Sequence, residues 1–93
     1  MALTWPAVKD PDEVKDYSLD WSELLDGDTI ASSTWTVMAG AGLIVDESSY
    51  TDTVTTIWLS AGAVGTDYKL SNLVVTAGGR TYDQTVKLRV RAK

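Results

Sequence analysis

Thr81-Tyr82-Asp83-Gln84-Thr85-Val86-Lys87-Leu88-Arg89-Val90-Arg91 alternates without a break: Tyr82, Gln84, Val86, Leu88 and Val90 fall on one side, and Thr81, Asp83, Thr85, Lys87, Arg89 and Arg91 on the other. A period of two sends successive side chains to opposite faces of a pleated chain, so this stretch reads as a half-buried β-strand. Immediately upstream, Tyr68, Leu70, Asn72 and Val74 alternate with Lys69, Ser71, Leu73 and Val75, and the two apolar sets overlap near Leu73 to Val75. That is a second strand. Between the two lies Ala77-Gly78-Gly79-Arg80. A Gly-Gly pair flanked by alternating runs predicts a hairpin, because glycine takes positive φ at no steric cost.

The same signal recurs outward from this pair. Asp52–Leu59 presents Val54, Thr56 and Trp58 on one side and Thr53, Thr55, Ile57 and Leu59 on the other. Ser33–Met38 carries Trp35 and Val37 on one face, Ala39-Gly40-Ala41-Gly42 interrupts it, and Leu43-Ile44-Val45 follows as a short strand. Nearer the start, Tyr17, Leu19 and Trp21 alternate with Asp16, Ser18 and Asp20, and Asp26-Gly27-Asp28 makes a turn. Helix competes only at Ser22-Glu23-Leu24-Leu25, too short to stand alone. Six or seven short strands separated by turn signals predict an all-β protein, an antiparallel β-sandwich, with a small closed barrel as the alternative.

A chain of 93 residues has room for one core. Residues 1–13 read as an N-terminal extended segment and residues 14–93 as a single sandwich domain. With 44% hydrophobic and 23% charged residues the chain is an ordinary globular one. In so small a core the aromatic rings matter, and Trp35 and Trp58 are the expected anchors.

Leu59 followed after five residues by Gly65-Thr66-Asp67-Tyr68-Lys69-Leu70 looks like the segment entering the sixth strand of fibronectin type III domains. The resemblance implies that Tyr68 is a structural core residue, its ring turned inward and its hydroxyl bonded back to backbone as a tyrosine corner. The loop Ser60-Ala61-Gly62-Ala63-Val64 departs from that pattern: it has no proline and is more apolar.

The inventory narrows the chemistry. The sequence has no cysteine and no histidine. Disulfides, thiol nucleophiles, zinc-thiolate sites and imidazole acid/base catalysis are therefore outside its reach. Thirteen acidic against eight basic residues leave a net charge of −5, which argues against nucleic acid and against an anionic membrane surface as partners. No cofactor is expected, and neither a secretory signal nor a membrane span is read at the start or elsewhere. Asp26-Gly27-Asp28 with Asp10, Asp12 and Glu13 supplies oxygens but lacks the spaced ligand series of a calcium loop. Asp46, Glu47 and Asp52 would have to serve as paired carboxylates in a cleft that a sandwich of this size has little room to form. The reading is therefore of a protein that is not an enzyme.

Charge is also uneven along the chain. Met1–Asp28 carries eight acids against Lys9 and Lys15, whereas Arg80, Lys87, Arg89, Arg91 and Lys93 stand against Asp83 alone in the last stretch. The simplest account is that the first and last strands lie close together, and the alternative is that one end docks on a neighbouring copy or a different protein. Trp5 and Trp21 stand out as aromatics in the polar N-terminal third, suited either to core packing or to contact with a partner protein.

Trp5-Pro6, Lys9-Asp10-Pro11-Asp12-Glu13-Val14, Asp16-Tyr17-Ser18-Leu19-Asp20-Trp21, Gly27-Asp28-Thr29-Ile30, Ser33-Thr34-Trp35-Thr36-Val37, Thr56-Ile57-Trp58-Leu59-Ser60-Ala61-Gly62 and Arg80-Thr81 occur in that order. The ordered series resembles the small fiber-tail adaptor proteins of tailed bacteriophages and prophages over nearly the whole chain. The resemblance implies an immunoglobulin-like sandwich of the virion that joins tail and tail fibre by protein–protein binding. Its partners would be other virion tail proteins, and it would be assembled in the host bacterial cytoplasm, a monomer when isolated and present in multiple copies in a particle. Carried onto this chain, the partner-contact residues would be Trp5, Pro11, Tyr17 and Trp21. A small carbohydrate-binding or adhesion module is the alternative function.

Overall fold

The computed structural model describes residues 2–93. Among them the terminal hairpin forms as its sequence dictates: β6 (Asp67–Thr76) and β7 (Thr81–Arg89) pair antiparallel, from Asp67 opposite Arg89 to Val75 opposite Thr81. Its turn is the three-residue loop Ala77-Gly78-Gly79, closed by the Thr76 N–H donating to the Arg80 carbonyl at 2.8 Å and by the Gly79 N–H donating to the Thr76 carbonyl at 3.0 Å. Gly79 has a φ of +86°, the conformation that closes a type I turn onto a bulge in such hairpins.

β3 (Ile30–Ala39) pairs antiparallel with the free edge of β6, and β1 (Ala2–Thr4) runs parallel to β7, giving a four-stranded sheet in the order β1-β7-β6-β3. The second sheet holds β2 (Lys15–Asp20), β5 (Val54–Ala61) and β4 (Leu43–Tyr50), all antiparallel in the order β2-β5-β4. Two separate sheets make a sandwich and not a closed barrel. In the immunoglobulin scheme β2, β5 and β4 take the places of strands B, E and D, and β3, β6 and β7 those of C, F and G, with the first strand carried on the second of these sheets. A single helical turn, α1 (Ser22–Leu25), follows β2; it is held by the Asp20 carboxylate accepting from the Ser22 N–H at 2.9 Å and by Asp26 in the left-handed conformation at its end.

The inward rows are Tyr17 and Leu19 on β2, Ile57 and Leu59 on β5, Tyr68, Leu70 and Val74 on β6, and Val86 and Leu88 on β7, all buried. Burying apolar area at about 25 cal/mol per Å² drives the two layers together. One polar chain crosses between them. The Trp21 indole N–H donates to Thr55 Oγ1 (3.1 Å), the Thr55 hydroxyl donates to Asn72 Oδ1 (2.7 Å), and Asn72 Nδ2 donates to Ser33 Oγ (2.9 Å). Thr55 and Asn72 are fully buried, and each is satisfied by this relay.

Tyr68 closes one end. Its hydroxyl donates to the Ala41 carbonyl in the β3–β4 turn and accepts from the Ala63 N–H (2.8 Å) in the β5–β6 loop. One phenol thereby links two loops that cross between the sheets, a tyrosine corner in the sense of immunoglobulin-like domains.

The structure differs from the sequence reading at three places. β4 continues through Asp46-Glu47-Ser48-Ser49 to Tyr50, well past Val45. As the edge of its sheet it is exposed almost throughout, so no apolar alternation marks it, and a register shift between Val45 and Glu47 scrambles what alternation there is. Trp58, expected in the core, is half-exposed on the outer face of its sheet, because the Thr55, Ile57 and Leu59 row of β5 is the buried one. The third place is the start of the chain. β1 and the residues after it are bonded to the sheet: Trp5 N–H donates to the Lys87 carbonyl (3.0 Å), Lys9 N–H to the Arg89 carbonyl (3.0 Å), and Arg91 N–H to the Lys9 carbonyl (2.9 Å). The ends of the chain do lie together, with Lys93 Nζ 2.7 Å from the Glu13 carboxylate.

Asp28 fastens the opposite end of the sandwich. Its carboxylate accepts from the Thr29 N–H (2.8 Å) and the Gly78 N–H (3.0 Å) and pairs with Arg80 at 3.0 Å. Hydrogen bonding from the Thr76 hydroxyl, then from these groups, pulls its pKa down from 3.8 to about 2. A carboxylate bonded in the folded state only in its charged form stabilises the fold fully above its unfolded pKa and loses that contribution as pH falls through its folded one. Thermal unfolding followed from neutral pH down to about pH 2 should therefore show an acid-labile component through this window that is smaller in Asp28→Asn. An identical acid profile in the variant would show that Asp28 is not a source of it.

Candidate interaction surface

The side of the sandwich where β1 and β2 lie is open, and α1 stands over it. There Leu3, Trp5, Ser18, Leu19, Asp20, Trp21, Glu23, Leu24 and Gln84 enclose a groove of about 630 Å³. Trp5, Leu19 and Trp21 are buried and form its floor, while Leu3 and Leu24 are 44% and 53% exposed and form apolar lips. Each is placed by local structure. Leu3 lies opposite the buried Val86 in the parallel β1–β7 ladder and so shares its inward side. Leu24 projects from α1 because Leu25, its neighbour on that turn, is the residue buried in the core. Asp20 and Glu23 add negative charge to the rim.

Trp5 is wedged between the sheets. Its ring stacks on Tyr17 at 4.7 Å between centroids and tilts against Trp35 at 5.9 Å, and its indole N–H donates to the Ser18 carbonyl at 3.2 Å. Tyr17 in turn donates its hydroxyl to the Ala7 carbonyl at 2.9 Å. Burial, then the nearby Glu13 carboxylate, pushes the Tyr17 pKa up to about 12, so the phenol stays a donor at any ordinary pH. Trp35 is half-buried against the core, its indole N–H enclosed without a hydrogen-bond partner among the described residues. Trp21 is 5% exposed and leans on Tyr82 at 6.4 Å.

Of the residues singled out in the sequence, Trp5, Tyr17 and Trp35 meet in one aromatic cluster, and Trp5 and Trp21 share the groove. Pro11 does not line it. It sits half-exposed in the turn Asp10-Pro11-Asp12-Glu13, closed by the Glu13 N–H on the Asp10 carbonyl (3.0 Å) and by the Asp10 N–H on the Glu13 carboxylate (2.8 Å). The same turn accounts for its acids: Asp10 also accepts from the Asp12 and Lys93 N–H groups, each at 2.8 Å. No group of three or more metal-ligating side chains occurs among the described residues. Asp46 and Glu47 lie exposed on edge strand β4.

Sequence reading missed Lys9, Leu3 and Leu24. Lys9 is fully buried, and its ammonium donates to the carbonyls of Ala61 (2.6 Å) and Asp10 (2.9 Å), clasping the N-terminal segment to the end of β5. Burial lowers its pKa, and the surrounding carboxylates of Glu13, Asp10, Asp12 and Asp46 oppose that shift. A lysine among aspartates reads as a solvated surface, so no local signal announces it.

Fold and surface together define an immunoglobulin-like sandwich carrying an apolar groove on one open side. The chain belongs to the podophage GP4 fiber-tail adaptor protein gp77 family, whose model matches residues 9–89. That is a family of phage tail components, and it supports a structural role in a tail and a non-enzymatic one. No curated protein matches the chain. Among solved structures it is similar to the 2,6-sialyltransferase of Vibrionaceae Photobacterium sp. JT-ISH-224, with a TM-score of 0.62 and 15% identity over 99% of this chain. The chain spans only 18% of that protein's length. It is also similar to the PKD domain from KIAA 1837 protein, with a TM-score of 0.51 and 20% identity, covering 99% of this chain and 79% of that one. At such identities these likenesses show the fold alone. No helix among the described residues is long and apolar enough to cross a membrane.

Proposed function

We propose that this protein is a non-enzymatic connector of a phage or prophage virion that joins tail and tail fibre by binding other tail proteins, and that it is assembled into particles in the host cytoplasm. Membership of the adaptor family supports the setting. The observation that carries the binding mode is the groove, where Leu3 and Leu24 leave apolar surface open above a rigid indole floor. Buried aromatics give such a floor little freedom to lose on binding, and an apolar lip gives a partner something to cover. Trp5 and Trp21 shape the groove and Tyr17 braces Trp5. Asp20 and Glu23 favour a partner segment that carries basic residues beside its apolar ones.

Co-purification with the products of the neighbouring tail genes tests this. The wild-type chain is expected to retain a tail component, and Leu24→Asp is expected to lose it with its thermal midpoint unchanged, because Leu24 is exposed. Retention undiminished in Leu24→Asp and in Leu3→Asp would place the contact elsewhere. Binding to a glycan array would favour the adhesion reading instead.

A further inference from the structure

The two outer faces of the sandwich differ in charge: among the described residues, one carries unpaired carboxylates and the other an unrelieved pair of lysines. On the β2-β5-β4 sheet, Trp58 lies directly opposite Asp16 on one neighbouring strand and Glu47 on the other. Directly opposed residues share a face, so the half-exposed indole sits between two carboxylates. Neither carboxylate takes part in an ion pair among the described residues, and Asp20, four residues along β2 from Asp16, adds a further negative charge. On the β1-β7-β6-β3 sheet, Lys69 lies directly opposite Lys87, both exposed. Like charges so placed repel. The acids of that sheet do not relieve them: Asp67 is engaged by Arg89 (3.8 Å) and Arg91 (3.4 Å), and Asp83 accepts from the Ser71 hydroxyl. Leu73 and Val75, on the same outer row of β6, are 39% and 37% exposed.

We infer that the partner of each face is a second copy of this chain, the Lys69–Lys87 face of one copy seated on the Trp58 face of the next. Two ammonium groups on neighbouring strands can straddle one indole, each reaching a flanking carboxylate while approaching the π face. The contact relieves a repulsion that the isolated chain carries and covers the partly buried Trp58 indole together with the exposed Leu73 and Val75. Because it joins two different faces, it is heterologous: it repeats from copy to copy and closes only as a ring, otherwise extending as a stack. Exposed ion pairs are individually weak and salt-screened, so the dilute chain is a monomer and the contact acts where copies are held close, as in a particle. It uses neither lip of the groove and stands apart from the binding mode proposed above.

Sedimentation velocity on the full chain over a range of concentration and salt tests it. The wild type is expected to associate at high concentration and low ionic strength, with mass rising past that of a dimer, and to dissociate as salt is added. Lys69→Glu with Lys87→Glu makes both faces acidic, and Asp16→Lys with Glu47→Lys makes the Trp58 face basic. Each double variant alone should lose association by about tenfold or more, and an equimolar mixture of the two should regain it. Trp58→Ser should weaken association without altering the salt dependence, and Leu24→Asp should leave it unchanged. If a double variant unfolds, Lys69→Glu and Glu47→Lys serve alone. A wild type that stays monomeric at low salt, variants that associate as it does, or a mixture that regains nothing would each overturn the inference.

Discussion

Trp21→Ala is expected to destabilise the fold by about 3–5 kcal/mol, the usual cost of truncating a buried tryptophan. Trp21 is 5% exposed, so little of its ring is in contact with water to begin with. Its removal opens space beside Tyr82 and takes the indole N–H away from the buried Thr55 hydroxyl, which still donates to Asn72. For a domain of this size, whose total stability is of the order of 5–15 kcal/mol, that is a large share. Trp58→Ala is the control. Its ring lies on the outer face, half-exposed, and should cost only about 1 kcal/mol. Urea unfolding of both variants checks the contrast. Equal losses would mean that the burial of the two rows of β5 and the end of β2 has been assigned the wrong way round.

Gly40→Ala is expected to cost about 2–4 kcal/mol, from two sources that act together. Gly40 has a φ of +98°, a region that an L side chain enters only with strain. A Cβ there would also lie 2.5 Å from Cδ1 and 2.7 Å from Cε1 of Tyr68. Tyr68 is fully buried and tied by its hydroxyl to Ala41 and Ala63, so its ring cannot swing aside without breaking the corner. Gly65→Ala separates the two causes: its φ is +81°, but a Cβ would meet nothing within 4 Å. It should show the backbone part alone, about 1 kcal/mol. Thermal midpoints of the two variants that matched would show that the contact with the Tyr68 ring adds nothing.

Much of the fold was legible because a strand with one buried side writes a period of two into its residues. The β6–β7 hairpin is the clearest case: Tyr68, Leu70, Asn72 and Val74 pair with Leu88, Val86, Gln84 and Tyr82 in the register that the Gly-Gly turn imposes. Edge strands write less. Asp46 to Tyr50 is held as strand by its ladder to β5 and is exposed, so composition carries no mark of it. β1 is three residues long and depends on β7 for its existence, a pairing between opposite ends of the chain that no local window contains.

The groove was legible in part. Trp5 and Trp21 were marked by their type and their polar surroundings, whereas Leu3 and Leu24 became its lips only through where β1 and α1 came to rest. Lys9 is the plainest limit: the carbonyl of Ala61 that compensates its burial lies fifty-two positions away in the chain.

By itself, then, the order of residues determined an all-β chain of short strands, its terminal hairpin and the absence of thiol and imidazole chemistry, while two separate sheets and the bonds of the Tyr68 hydroxyl turned the expected sandwich and corner into fact. The tertiary structure alone decided which row of β5 faces inward, where the chain's first residues bind and which apolar side chains stay open to a partner. Alternation is a local property that sorts side chains into two faces without ranking them. Which face loses its water is settled by the sheet that comes to cover it, and on β5, with Trp58 on one side and Ile57 and Leu59 on the other, both choices were apolar enough to be taken.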